Sequence, residues 1–66
     1  MMEKQEAAKL KINSKVVYTR TNEVCTIVHK ETKLLLDFRI LTFTIVGNKT
    51  GKIVVTNLDI MPVEKS

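Results

Sequence analysis

An all-β fold, a single small barrel of five strands, is what this 66-residue sequence predicts, on three observations. Val, Ile and Thr supply 22 of the 66 residues, all after position 11, and that enrichment suits a pleated sheet surface. Short polar connections separate the apolar runs, most clearly Gly47-Asn48-Lys49-Thr50-Gly51, where the glycines permit positive φ and Asn tolerates it. Residues 33–46, KLLLDFRILTFTIV, form the longest apolar run and alternate as strands do.

Residues 1–11 stand apart as an N-terminal segment. EKQEAAKLK consists of good helix formers with no β-branched residue before Ile12, which predicts a short helix or a disordered tail. A helix so short is marginal in water and needs packing to be ordered. Residues 12–63 form the barrel domain, and residues 64–66 a solvated C-terminal tail.

Strands are expected at 15–20 and 24–30, joined as a hairpin through Thr21-Asn22-Glu23. Glu31-Thr32-Lys33 is expected to turn the chain into a strand at 34–40, continued at 41–46, and residues 52–56 supply the fifth strand beyond the glycine turn. In the closing segment 57–63, Pro62 cannot donate to a ladder and belongs on an edge or at the barrel closure. Asn48-Lys49-Thr50 has the form of a glycosylation acceptor and reads as a turn.

Leu34, Leu36, Phe38 and Ile40 share one phase, whereas Leu41, Phe43 and Ile45 share the other. A bulge or bend at Ile40-Leu41 would reconcile the two halves and curl a small sheet. The runs Val16-Val17, Ile27-Val28, Leu34-Leu35-Leu36 and Ile53-Val54-Val55 place apolar groups on both faces of their strands. Either the N-terminal segment covers the second face, or another copy or a partner does; Val17, Val28, Leu35 and Val54 are the candidate interface residues and a homo-oligomer is the expected state.

Size and composition narrow the function classes. A chain this short buries only about 60% of the surface its unfolded form exposes, so it needs a staple or a partner. Cys25 alone cannot form an intramolecular disulfide, and with His29 as the sole histidine no zinc cluster of the usual Cys/His type can form. Oligomerisation is the staple that remains. The N-terminus carries acidic residues and no continuous apolar stretch, and nothing approaches a membrane span, which predicts a cytoplasmic protein with no membrane role.

Eleven basic against seven acidic residues give a net charge of +4, which favours polyanion contact without requiring it. Nine of the eleven are lysines; the planar fork suited to bidentate recognition occurs only at Arg20 and Arg39. Lys30, Lys33, Arg39, Lys49 and Lys52 are the candidate phosphate-binding residues, provided the loops that carry them share one end of the barrel. Lysines flanking apolar strands also serve simply to block edge-to-edge aggregation.

Five short strands, a hairpin first, and the closing segment Asn57-Leu58-Asp59-Ile60-Met61-Pro62-Val63 resemble the SH3-like small barrels, including KOW and Tudor-type modules. The resemblance is one of architecture over residues 12–63. The first-loop glycine of KOW modules has no counterpart in Thr19-Arg20-Thr21-Asn22-Glu23, so their RNA role does not carry over. A Tudor-type aromatic cage needs several rings, and this chain has only Tyr18, Phe38 and Phe43. OB-like barrels are the alternative fold, but their helix between strands 3 and 4 finds no helical stretch here.

No catalytic set emerges. Cys25 and His29, four residues apart on a strand, would be separated by about 13 Å along one face, and a small buried or half-buried thiol is the plainer reading. Asp37 is two residues from Arg39 and suits a surface ion pair or a charged interface rim; Asp59 suits a local turn. The expectation is therefore a non-enzymatic interaction or regulatory module that binds a protein partner and self-associates, with no cofactor, metal or small-molecule substrate. The alternative is a basic nucleic-acid-binding accessory protein that contacts phosphates through its loop lysines.

Overall fold

Helix gives way to sheet where the β-branched residues begin. The computed structural model describes residues 3–63, and the predicted tail at 64–66 lies outside them. A single short helix, α1 (Lys4–Ala8), precedes β1 (Lys15–Tyr18), β2 (Glu23–Leu35), β3 (Phe38–Gly47) and β4 (Gly51–Thr56). A 3-10 turn (Asn57–Asp59) then leads into β5 (Ile60–Pro62). The fold is all-β: one five-stranded antiparallel sheet in the order β4-β3-β2-β1-β5.

The sheet does not close into the predicted barrel; β4 and β5 are its two edges. Only the 3-10 turn joins them, and β5 is three residues long and pairs with β1, where Pro62 lies opposite Val16. Proline on the edge avoids a missing ladder donor. Both edges nonetheless contribute to one core of Ala7, Val16, Cys25, Ile27, Phe43, Ile45, Val55 and Ile60, so the sheet curls around it. Every strand and the helix supply at least one of these buried side chains.

The first hairpin forms as expected. Its loop turns at Asn22, with φ 55°, and the Asn22 N–H donates to Tyr18 O at 2.7 Å. Ahead of β1, Asn13 takes φ 76° and donates to Ile27 O, while Ile27 donates to Ser14 O, so the lead-in already lies along β2.

The second hairpin differs from the expectation. No turn occurs at Glu31-Thr32-Lys33, which offers no residue suited to positive φ; β2 continues through it. The chain reverses at Leu36-Asp37, with Leu35 opposite Phe38. Residues 34–40 are therefore the end of β2, a two-residue loop and the start of β3, and the predicted bend at Ile40-Leu41 is absent because alternation simply restarts across the reversal. The irregularity in this ladder falls instead between Ile27 and His29, where Val28 is the extra residue. The strand expected fifth, at 52–56, is β4, and the closing segment contains β5.

β1 covers β2 only over Glu23 to Thr26, and β4 covers β3 only from Thr42 onward. Between Thr32 and Leu41 the two long strands pair with each other alone, and this two-stranded ribbon extends beyond the sheet.

Candidate functional site: an apolar hairpin tip beside a cationic cleft

The ribbon ends in the most exposed apolar group among the described residues. Leu36 is 99% exposed, Leu34 71%, Phe38 53% and Leu35 47%. Register sets their directions: Leu34, opposite Arg39, shares the core-side face with Phe43, while Leu35 and Phe38 form a pair on the outer face. Leu36 and Asp37 fill the loop itself.

Leu36 also adopts φ 50°. A positive φ at the first position of a two-residue hairpin loop is the place for glycine, and an L residue with a Cβ is disfavoured there by about 1–2 kcal/mol. Full exposure returns nothing to offset that cost. An apolar side chain held at a strained, solvated tip is the kind of local conflict that marks function.

Below the tip on the core side, α1 and the ribbon border an open cleft of about 350 Å³ lined by Gln5, Ala8, Lys30, Thr32, Arg39 and Leu41. Lys30, Thr32, Arg39 and Leu41 share one ribbon face because Lys30 stands opposite buried Phe43, Thr32 opposite Leu41 and Leu34 opposite Arg39. The Lys30 ammonium donates to Ala8 O at 2.6 Å and Leu10 O at 3.1 Å, tying the end of α1 to β2. Two cations thus stand beside the apolar side chains of Ala8 and Leu41.

Of the five candidate phosphate-binding residues, only Lys30 and Arg39 meet, at this cleft. Lys33 points to the outer face opposite Ile40, and Lys30 holds the helix. Lys49 and Lys52 belong to the β3–β4 turn and its exit, eight residues along β3 from Arg39, roughly 26 Å at about 3.3 Å per residue. The shared end that the phosphate reading requires is not formed.

That glycine turn is satisfied from within. The Glu23 carboxylate accepts hydrogen bonds from the Lys49 N–H at 2.8 and 3.1 Å and from the Thr50 N–H at 2.8 Å. These bonds, led by that from Thr50, hold the Glu23 carboxyl below its ordinary range. Thr21 and Thr50 share a hydroxyl hydrogen bond at 2.8 Å, so the first loop and the glycine turn are joined twice. Sequence reading treats Glu23 as a polar loop residue; the available signal was a turn rich in unpaired N–H donors with an acid elsewhere to accept them.

Val17, Val54 and Leu35 lie on the outer face, and Val28 is exposed at the bulge. Only Leu35 belongs to the tip; of the run Leu34-Leu35-Leu36 the sequence singles out Leu35 alone, and Phe38 is missed, because these residues read as the inside of a strand. Cys25 is fully buried, with its thiol 3.6 Å from Glu23 O, whereas His29 is exposed opposite Thr44 on the outer face. The bulge therefore puts the two on opposite sides of the sheet. Asp59 contributes its carbonyl oxygen, which accepts from the Thr19 N–H at 3.0 Å and the Thr19 hydroxyl at 3.1 Å.

Among the described residues no group of three or more His, Cys, Asp or Glu is placed to hold a metal, and no helix is long and apolar enough to cross a membrane. No protein-family model, curated protein or solved structure matches the chain.

Proposed function

We propose that this protein is a small non-enzymatic interaction module whose docking element is the tip of the β2–β3 hairpin, through which it binds a protein partner and self-associates. The observation that carries this reading is Leu36, a fully exposed leucine in a backbone conformation suited to glycine, flanked by exposed Leu34, Leu35 and Phe38. Aliphatic and aromatic anchors gathered at one protruding point fit the compact hot spots that dominate protein–protein affinity. The kinship with SH3-like small barrels remains part of the proposal. It is supported by the leading hairpin and by a closing strand that returns to β1 after the turn at Asn57-Leu58-Asp59.

Nucleic-acid binding draws less support. Lys33 and Arg39 near one end of β3, with Lys49 and Lys52 at the other, make a poor phosphate track; Lys30, at mid-strand, holds the helix, and the N–H donors of Lys49 and Thr50 already serve Glu23.

A photo-crosslinking amino acid at position 36, compared with one at exposed Leu58, tests the reading in cells and in high-salt extracts. The module reading expects protein adducts from position 36 that persist at high salt and disappear with L34S/F38S. Equal labelling from both positions, or adducts only to nucleic acid, would sink it.

A further inference from the structure

We propose that the hairpin tip of one copy docks into the α1–ribbon cleft of a second copy, with Asp37 of the tip meeting Lys30 and Arg39 of the cleft. This rests on the interaction-module reading and names its partner.

The tip fixes the chemistry of what receives it. Leu36 and the core-side Leu34 ask for an apolar pocket, and Asp37 sits in the loop beside Leu36 and enters with it. A lipid surface would have to take that carboxylate into hydrocarbon, and a nucleic acid would set it against phosphates; both are unfavourable. A protein pocket with apolar walls and a cation suits Leu36 and Asp37 together.

This chain carries such a pocket. The cleft has aliphatic walls in Ala8 and Leu41, the Arg39 guanidinium, the Lys30 ammonium, which already donates to Ala8 O and Leu10 O, and polar groups in Gln5 and Thr32. At about 350 Å³ it lies near the small end of the range of about 300–1,000 Å³ for ligand sites, which suits a side chain or two and not a long peptide.

Geometry permits the exchange to be mutual. The tip lies one step beyond the Leu35–Phe38 pair and Leu41 three steps before it, roughly 13 Å along the ribbon at about 3.3 Å per residue. Two ribbons laid antiparallel about a twofold axis, core-side faces together, place each tip over the other's cleft. Each copy then gives one tip and receives one, the closed self-complementary arrangement usual for dimers. Leu34, on the core-side face opposite Arg39, lies between tip and cleft and is covered in the same contact.

The test is a charge exchange between copies, read as solution mass by sedimentation across a wide concentration range. Wild type is expected to dimerise, and D37R and R39E alone each to weaken dimerisation about tenfold or more. An equimolar mixture of D37R and R39E should recover near-wild-type association as a heterodimer, because an Arg tip then meets a Glu cleft while a wild-type Asp tip meets a wild-type Arg cleft. L36G, which relieves backbone strain, should keep the fold and still weaken the dimer. A monomeric wild type, or a mixture no tighter than its components, overturns self-docking. Where the wild type is monomeric yet position 36 crosslinks to a different protein, self-docking falls and the module reading survives.

Discussion

The Glu23 carboxylate occupies the space where a side chain on Gly47 would lie. A Cβ at that glycine would fall against Glu23 Oε1 and Cys25 Sγ, so the absence of a side chain at 47 is what lets the acid reach the Lys49 and Thr50 N–H groups. One residue of β2 thereby fixes the turn that joins β3 to β4, and the Thr21–Thr50 hydrogen bond ties the first loop to the same point.

Gly47→Ala should therefore destabilise the protein although the glycine is not at a positive φ. Overpacking of this kind costs about 1–3 kcal/mol, because the neighbours include a buried thiol and a carboxylate already held by two N–H groups. Urea unfolding measures it. A variant as stable as wild type would show that Glu23 can leave the turn without cost.

The same carboxylate makes stability depend on pH. Its folded pKa lies below the ordinary 4.5, so the unfolded chain takes up the proton first as pH falls. The contribution is complete well above pH 4.5 and is lost as pH drops through the lowered folded value. Glu23→Gln should be less stable than wild type at neutral pH, with the gap closing in acid. Thermal melts from neutral to acidic pH read this directly; a constant gap would place the effect in something other than ionisation.

Lys30→Met keeps an aliphatic stem but removes the donors to Ala8 O and Leu10 O. Hydrogen bonds to charged groups are worth about 1.5–3 kcal/mol where water is excluded and less at a half-exposed site such as this, so a loss of about 1 kcal/mol is expected. The loss should be local. Amide exchange should quicken in α1 and the segment leading to Leu10 while β1 and β2 keep their protection, whereas uniform acceleration across the sheet would contradict a helix-tethering role.

Cys25 should react with thiol reagents only when the molecule opens. Its side chain is buried with Val16, Ile27 and Ile45 in the core, and its thiol contacts Glu23 O. The rate of labelling by an aromatic disulfide should follow urea concentration in step with unfolding. Fast labelling of the native protein would remove Cys25 from the core.

How far the fold was legible follows from what short-range chemistry encodes. The composition change at Ile12, the Asn22 loop and the Gly47–Gly51 turn are announced by residues with local preferences, and each lies where the sequence places it. Leu36-Asp37 carries no such preference: a leucine takes a glycine conformation, so the reversal was hidden inside an apolar run and the strand phase was misjudged on both sides. The bulge at Val28 was only half visible, since the Ile27-Val28 doublet breaks alternation but reads equally well as apolar groups on two faces, without an extra residue. The cleft depends on a lysine reaching from β2 to the end of α1, a pairing across 20 and 22 residues that no local pattern reports.

Leu36→Gly should make the protein more stable, the reverse of the usual result of deleting a large apolar side chain. With 99% exposure the leucine has no packing to lose, and with φ at 50° its Cβ opposes the turn. Relief of that strain is worth about 1–2 kcal/mol, partly offset by the greater freedom glycine gives the unfolded chain, which leaves a gain of about 1 kcal/mol. In a domain of this size that corresponds to a rise of roughly 4–8 °C in Tm. Calorimetry at low protein concentration, where any self-association is dissociated, isolates the monomer term. A lower Tm under those conditions would mean that Leu36 packs within its own chain and that its place at the tip serves the fold, not a partner.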